Sequence, residues 1–280
     1  MRHKSHGFAL LATLGVLVAV NAQAKEPSAK AATPSMPPAQ NVLEPKALDL
    51  LKVMSSRLAA AKTMSFESVS TYESPSLVGP ALAYTTVSEV TLQRPDKLRV
   101  LTPGDGPASE FYYDGKTMMA YAPESNLVAV AAAPPTVDAT LTAAYDTAAI
   151  YFPFTDALLA DPYKNIAEGL RIAFVVGRSK VVGGVTTDIV AMTNDKVFAQ
   201  IWIGADDKLP RRLRAVYLDD PSRLRHEVEF SNWKVDSTVS ADTFTSSRAA
   251  GANHIPFARP DLKLPEDAPP KKVEPAKKQY

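Results

Sequence analysis

The sequence predicts an α+β fold in which a strongly curved, mainly antiparallel sheet of about ten strands has helices over its concave side. Three observations lead to this prediction. Runs of strand-forming residues with a period of two are joined by short turn signals. A helical insert separates two blocks of such runs. One hairpin region is apolar on both faces, so each of its faces needs a cover.

Residues 1–24 are predicted to be a signal peptide. A basic head precedes an apolar run from Phe8 to Val20, and Ala22-Gln23-Ala24 has the small-x-small form of a cleavage site. The alternative is a membrane anchor, but the run is shorter than the about 20 residues that a spanning helix needs. We therefore expect cleavage before Lys25, an exported soluble protein and no transmembrane segment after cleavage.

Cysteine count and charge exclude several classes of function. The chain has no cysteine, which excludes disulfides, lipid attachment to an N-terminal cysteine, thiolate catalysis and zinc–thiolate sites. Without the predicted signal peptide the 31 basic residues fall to 29, against 30 acidic ones. Because this balance gives no net field, binding to nucleic acid or to an anionic membrane surface is not expected.

Composition divides the remaining chain into three parts. Residues 25–43 and 261–280 are rich in Pro, Ala and Lys and have no periodic apolar pattern. We expect the first to be a disordered linker and the second a disordered Lys/Pro-rich tail. Residues 44–260 are predicted to form a single domain, since they are enough to bury a core of ordinary size.

The predicted domain begins with an amphipathic helix and continues with three strands. Pro45 suits the first position of the helix. Apolar residues then recur at intervals of three and four, namely Ala47, Leu51, Met54 and Leu58. Residues 64–72, 82–93 and 97–102 are β-branched or aromatic with a period of two, which predicts the strands.

Residues 111–134 are predicted to form two hairpins. Asp114-Gly115 is a strong hairpin signal, because glycine readily adopts positive φ, and this two-residue loop pairs Tyr112 with Thr117. Residues 123–126 are the next predicted loop. One face then carries Tyr112, Met119, Tyr121, Val128 and Val130, and the other carries Phe111, Tyr113, Met118, Ala120, Leu127, Ala129 and Ala131. Because both faces are apolar, the second must be covered by a helix, another sheet or a ligand.

A helical insert of about 30 residues supplies such a cover. Thr136 is predicted to cap a helix in which Leu141, Ala144, Tyr145 and Ala148 recur at helical spacing. One or two short helical turns follow, started by Thr155 and broken at Pro162.

The second block of strands ends in an informative hairpin. Strands resume at 170–177, and Gly183-Gly184 marks a turn. With 219–222 as a loop, the last hairpin pairs Arg212 with Glu229 and Arg214 with Glu227 on one face. The opposite face is mostly apolar and contains Tyr217 and His226.

The sequence carries no recognisable catalytic or metal-binding pattern. Nucleophile-elbow, zinc-protease and phosphate-loop motifs are absent from it. His226 has no second histidine beside it in the strand pattern, so we interpret it as a structural residue rather than a base or ligand. Asp206-Asp207 and Asp219-Asp220 fall where turns are needed. We expect no enzyme activity, no cofactor and no metal.

Three motifs carry a resemblance to known proteins. They are Asp114-Gly115-Lys116, the strand IWI followed by LPRRL, and FSNW in the last strand. Over about residues 44–257 the sequence resembles a family of predicted periplasmic bacterial proteins of unknown function and, more distantly, lipoprotein carriers of the LolA/LolB type. The resemblance implies a periplasmic, LolA-like unclosed β-barrel with an apolar concave surface roofed by helices, where the carriers hold acyl chains. It implies no catalytic residues.

The resulting hypothesis is a periplasmic, non-enzymatic binding or carrier protein. It would hold an apolar ligand, a lipid or a lipoprotein acyl chain, between the curved sheet and the helices, as a monomer with a membrane-bound delivery partner. The predicted ligand-binding residues are Tyr112, Met119, Tyr121, Val128, Leu141, Tyr145 and Tyr217. Two alternatives remain open at this point: a periplasmic sensory or protein-interaction module of the same fold, and a hydrolase that would need a polar cluster around His226.

Overall fold

The structure, a computed structural model, describes residues 42–104 and 106–259. The predicted signal peptide (1–24) and the predicted C-terminal tail (261–280) lie outside these residues. So does the predicted linker, except for Val42 and Leu43, which form a short strand.

Thirteen strands of the described residues form one sheet. In chain order they are β1 (Val42–Leu43), β2 (Thr63–Ser74), β3 (Leu82–Gln93), β4 (Lys97–Gly104), β5 (Ser109–Tyr113), β6 (Thr117–Ala122), β7 (Leu127–Ala132), β8 (Ile172–Ser179), β9 (Thr187–Thr193), β10 (Val197–Gly204), β11 (Pro210–Tyr217), β12 (Arg225–Val235) and β13 (Asn253–Ile255). Their order across the sheet is β1-β8-β9-β10-β11-β12-β2-β3-β4-β5-β6-β7-β13.

The sheet is curved and does not close into a barrel. Strands β1 and β13 stand at its two ends and each pairs with one neighbour. These two end pairings are parallel. All other pairings, which join the strands from β2 to β12, are antiparallel. The predicted curved, unclosed and mainly antiparallel sheet is therefore confirmed. The strand count exceeds about ten partly because β1 and β13 are two and three residues long and carry no strand pattern of their own.

Four α-helices accompany the sheet in the described part of the chain: α1 (Pro45–Ala60), α2 (Val137–Ala148), α3 (Thr155–Leu158) and α4 (Pro162–Ala167). The predicted apolar stripe of α1 is buried. Helix α2 begins as predicted, because the Thr136 hydroxyl accepts a hydrogen bond from the Ala139 backbone N–H at 3.3 Å. Pro162 occupies the first turn of α4, where its missing N–H has no helical partner to lose.

The main core lies between these helices and one face of the sheet. Its aromatic centre is Phe66 of β2, whose ring centroid lies 5.6 Å from that of Phe154 and 4.5 Å from that of Trp233. Phe230 of β12 joins the same group at 5.6 Å from Phe66. Because β2 and β12 pair directly, this aromatic group joins the two blocks of strands and the segment between α2 and α3.

The sequence predicts the strand register of two hairpins, β5–β6 and β11–β12, and one of these predictions is correct. The β11–β12 register is confirmed, with Arg212 opposite Glu229 and Arg214 opposite Glu227. The predicted β5–β6 register is wrong by two residues, because Tyr112 lies opposite Met119 rather than Thr117. The Asp114 carboxylate accepts hydrogen bonds from the backbone N–H groups of Lys116 (2.9 Å) and Thr117 (2.8 Å), which stabilises a four-residue loop. A shift of two residues leaves every side chain on its predicted face.

The second apolar face of β5–β7 is covered by the chain itself. Residues 241–255, here called the C-terminal strap, form two 3₁₀ turns and β13, which pairs with β7. Tyr121 and Val128 are buried in a small cluster with Ala249 and Ala252 of the strap. The double-sided apolar pattern thus reflects helices on one face and the strap on the other.

Candidate functional site

An apolar cavity of about 270 Å³ lies between the sheet and the helices. Its floor is formed by β9–β12 and includes Ala199, Ile201, Leu213, Ala215, His226 and Phe230. Its roof comes from α1, α3 and α4 and includes Met54, Leu58, Ala157 and Ile166. The cavity therefore lies at the second block of strands, where the β11–β12 hairpin presents its apolar face.

Small side chains produce the hollow in the floor. Ala199 and Ala215 lie directly opposite each other on β10 and β11, and Ala215 lies opposite His226 on β12. The next pair of opposite residues on the same face is Ile201 and Leu213, whose larger side chains extend further into the space above the sheet. Two alanines in neighbouring strands leave space that these branched residues would otherwise fill.

A second hollow, here called the cleft, adjoins the cavity beneath α2. It has a volume of about 670 Å³, and its lining includes Leu141, Tyr145, Ile150 and Phe152. Tyr151, Asn165 and Tyr217 line both the cavity and the cleft. These three residues, here called the mouth residues, mark the place where the two spaces meet.

The polar groups at the mouth are phenols, an amide and a nearby carboxylate. Asp156 of α3 lines the cavity near the mouth and is exposed, yet the surrounding protein desolvates its carboxyl group and raises its pKa. The pKa of the Tyr151 phenol is raised to about 12, mainly by desolvation and to a smaller extent by the neighbouring Tyr217, Asp156 and Tyr145. The pKa of Tyr217 is raised by desolvation and by Asp156. Both phenols are therefore neutral donors at physiological pH.

His226 is the basic residue of the cavity floor. Its Nε2 atom is buried and has no hydrogen-bond partner among the described residues. Burial lowers the pKa of the imidazole, so the ring is neutral near pH 7. No group of three His, Cys, Asp or Glu side chains in residues 42–104 and 106–259 is arranged to hold a metal ion.

The structure separates the predicted ligand-binding residues into two groups. Tyr112, Met119, Tyr121 and Val128 lie on the face covered by the strap and do not line the cavity. The Tyr112 hydroxyl instead donates a hydrogen bond to Glu110 at 2.7 Å. Leu141 and Tyr145 line the cleft, and Tyr217 lines both spaces.

Sequence reasoning missed most of the cavity floor. Ala199, Leu213, Ala215 and Phe230 are not among the predicted binding residues, although the sequence predicts an apolar face for the β11–β12 hairpin. The signal that could have identified them is the alternation of that hairpin, with ion pairs on one face and apolar residues on the other.

None of the helices in the described ranges is long and apolar enough to cross a membrane.

A family described as "Predicted periplasmic protein (DUF2092)" matches residues 47–258. The chain belongs to this family. The predicted family and the predicted periplasmic location are thereby confirmed. No curated protein matches the sequence of this DUF2092 chain.

Solved structures similar to this DUF2092 protein share little sequence with it. The lipoprotein LppX of Mycobacterium tuberculosis is 11% identical with a TM-score of 0.46, over 71% of this chain and 100% of LppX. LprF from Mycobacterium bovis is 16% identical with a TM-score of 0.43, over 71% and 96% of the two chains. A LolA superfamily protein from Nitrosomonas europaea is 7% identical with a TM-score of 0.35, over 70% and 97%.

Proposed function

We propose that this DUF2092 protein is a periplasmic, non-enzymatic carrier that holds the apolar chain of a lipid or lipoprotein in the cavity and the adjoining cleft. The observation that carries the proposal is the cavity floor, where Ala199 and Ala215 face each other beneath a roof of apolar helix residues. A site for a small ligand is expected to be concave, mostly apolar and supplied with a few polar groups.

The size of the cavity favours a chain-shaped ligand. At about 270 Å³ the cavity is smaller than the range of about 300–1,000 Å³ that is common for ligand pockets. The cleft adds about 670 Å³ and meets the cavity at the mouth residues. A flexible chain can follow such a path, with one end in the cavity and the rest in the cleft.

The expected binding energy is sufficient for a carrier. Burial of a methylene group contributes about 0.8 kcal/mol, so about a dozen methylenes contribute about 10 kcal/mol. Association costs about 4–15 kcal/mol in lost freedom of motion. With a cost near the lower end of this range, about 6 kcal/mol is left in favour of binding, which corresponds to a reversible affinity between about 1 mM and about 1 μM. A carrier needs such reversible binding in order to release its cargo. Delivery to a membrane-bound partner is part of this proposal.

The polar groups of the cavity support binding rather than hydrolysis. Nucleophilic catalysis needs a hydroxyl or thiol hydrogen-bonded to a general base. The buried Nε2 of His226 accepts no such hydrogen bond within the described part of the chain, and the ring neighbours Ala215 in the sheet. A neutral imidazole on an apolar floor is compatible with contact to a lipid chain.

A test combines native lipid analysis with direct binding. The full chain is purified from the native periplasm and extracted with organic solvent, and mass spectrometry is used to search the extract for lipids. The delipidated protein is titrated with N-phenyl-1-naphthylamine, a neutral dye that fluoresces in apolar sites. We expect bound lipid and saturable dye binding. An empty extract together with no dye binding would reject the carrier role.

A pair of variants locates the site. Ala215→Trp fills the floor of the cavity and is expected to weaken dye binding at least tenfold, a loss of about 1.4 kcal/mol. Val216→Trp adds the same ring on the opposite face of the same strand and should bind the dye as the parent does. Equal dye binding by the two variants would place the dye elsewhere. A co-purifying protein with no lipid would favour the interaction module instead.

A further inference from the structure

We propose, on the basis of the carrier role, that the mouth selects amphiphiles with a positively charged head, such as an ammonium group, and disfavours carboxylate heads. The site consists of Tyr151, Tyr217 and Asp156, with the chain of the ligand running into the cavity. Charge complementarity and the aromatic surroundings of the mouth together define this class of ligand.

The first observation is the charge of the lining. Among the described residues that line the cavity or the cleft, none is Lys or Arg, whereas Asp138 and Asp156 are both present. His226, the histidine of the cavity floor, is held neutral by burial. An anionic head would therefore enter a space that offers it no counter-charge and contains two carboxylates.

The second observation is that the Asp156 carboxylate has no ion-pair partner in residues 42–104 and 106–259. Asp138, by contrast, accepts hydrogen bonds from the Ala160 backbone N–H at 3.1 Å. Desolvation already disfavours the Asp156 anion, and a cation beside it would offset this effect. Asp156 is thus available to a positively charged ligand group.

The third observation is the aromatic surface beside Asp156. Tyr151 and Tyr217 line both the cavity and the cleft, and Asp156 lines the cavity with them, so the two rings and the carboxylate face the same space. The faces of tyrosine rings attract cations, and an ammonium group enclosed by aromatic rings is a common arrangement for its recognition. Both mouth phenols stay protonated, so they can also donate hydrogen bonds.

Arg259 is a cation near the cleft that has to be taken into account. The Arg259 guanidinium lies 5.5 Å from the centroid of the Tyr145 ring and donates a hydrogen bond to the Tyr145 carbonyl at 3.0 Å. Arg259 is not part of the lining of either space. Because it already occupies the Tyr145 ring, we assign the head to Tyr151, Tyr217 and Asp156 rather than to Tyr145.

The experiment compares three ligands that have the same chain. Full-length protein loaded with N-phenyl-1-naphthylamine is titrated with decyltrimethylammonium, decanol and decanoate, each below its critical micelle concentration. Displacement of the dye gives the three affinities. We expect the ammonium compound to bind about tenfold tighter than decanoate, with decanol between them. Decanoate binding as tightly as the ammonium compound would overturn the inference.

Variants assign the preference to the mouth. Asp156→Asn and Tyr151→Leu should each reduce the preference for ammonium over decanoate at least threefold, whereas Tyr151→Phe, which keeps the ring, should retain it. Asp146→Asn removes an exposed carboxylate of α2 that lines neither space and serves as the charge-matched control. If the preference for the ammonium compound over decanoate were unchanged in both Asp156→Asn and Tyr151→Leu, the assignment of the head group to this site would also be wrong.

The two proposals fail in different ways. If the dye and decanol do not bind at all, the carrier role itself is rejected. If both bind but the ammonium compound has no advantage over decanoate, the carrier role survives and the inferred head-group preference is rejected.

Discussion

Arg248 of the C-terminal strap forms an ion pair with Glu110, a carboxylate of β5 that is 6% exposed. The other carboxylate oxygen of Glu110 accepts a hydrogen bond from the Tyr112 hydroxyl at 2.7 Å. The strap is thus attached to the sheet by this charged contact as well as by the buried cluster around Tyr121 and Val128. A buried carboxylate is stable only when its charge is paired or hydrogen-bonded.

We therefore expect Arg248→Ala to destabilise the protein. It leaves Glu110 without its counter-charge, and loss of one partner of a buried polar pair costs about 1–3 kcal/mol. Because the Arg248 side chain is 65% exposed, water screens the contact and the lower half of this range applies. Urea unfolding measures the change. Glu110→Gln completes a double-mutant cycle, and a coupling energy of zero would show that the pair does not stabilise the strap.

Gly115→Ala is expected to cost about 1–2 kcal/mol in the free energy of unfolding. Gly115 has φ of 96°, and a Cβ atom there would lie 2.8 Å from Asp96 Oδ2. Gly104→Ala is the matched control, because a Cβ at that position meets nothing within 4 Å and φ is not in the left-handed region. Thermal or urea unfolding compares the two variants. Equal stabilities would mean that the turn tolerates a side chain.

Local patterns in the sequence were sufficient for most of the fold. The opposite charges of Arg212, Arg214, Glu227 and Glu229 permit one register of the last hairpin, and the structure has that register. The apolar stripe of α1 and the N-terminal cap of α2 likewise depend only on residues that are close together in the sequence. In each case neighbours in sequence or across one turn determine the conformation, so no tertiary information was required.

The candidate site needed tertiary information that these patterns do not contain. Tyr121 and Val128 lie on a face whose cover is the strap, more than 100 residues later in the chain. Period-two alternation identifies which residues share a face but not which segment lies over it. The cavity likewise depends on Ala199 and Ala215 being opposite each other, and alanine in a strand carries little signal by itself.

Phe66→Ala should destabilise the protein by about 3–5 kcal/mol, the usual cost of removing a buried phenylalanine. Phe66 is 3% exposed and contacts the rings of Phe154, Phe230 and Trp233. Phe174→Ala is the control, since that ring is 39% exposed on the edge-proximal strand β8, and its cost should be clearly smaller. The difference is measured by urea unfolding. Comparable losses in both variants would mean that the aromatic group at Phe66 does not form the centre of the core.

Acidification should destabilise the protein through His226, and His226→Gln should reduce this effect. Burial lowers the pKa of His226 below its ordinary value of 6.5, so the unfolded chain binds a proton that the folded chain does not. The free energy of unfolding contributed by this residue is complete above pH 6.5 and falls as pH decreases toward the lowered pKa. Asp156, whose raised pKa has the opposite effect, is present in both proteins and cancels in the comparison.

The measurement is urea unfolding of the parent and of His226→Gln between about pH 8 and about pH 5. The parent should lose more stability than the variant over this range, with the additional loss beginning near pH 6.5. Parallel curves would mean that His226 is as well solvated in the folded protein as in the unfolded chain. The cavity floor would then be wet, and an apolar chain could not be expected to bind there.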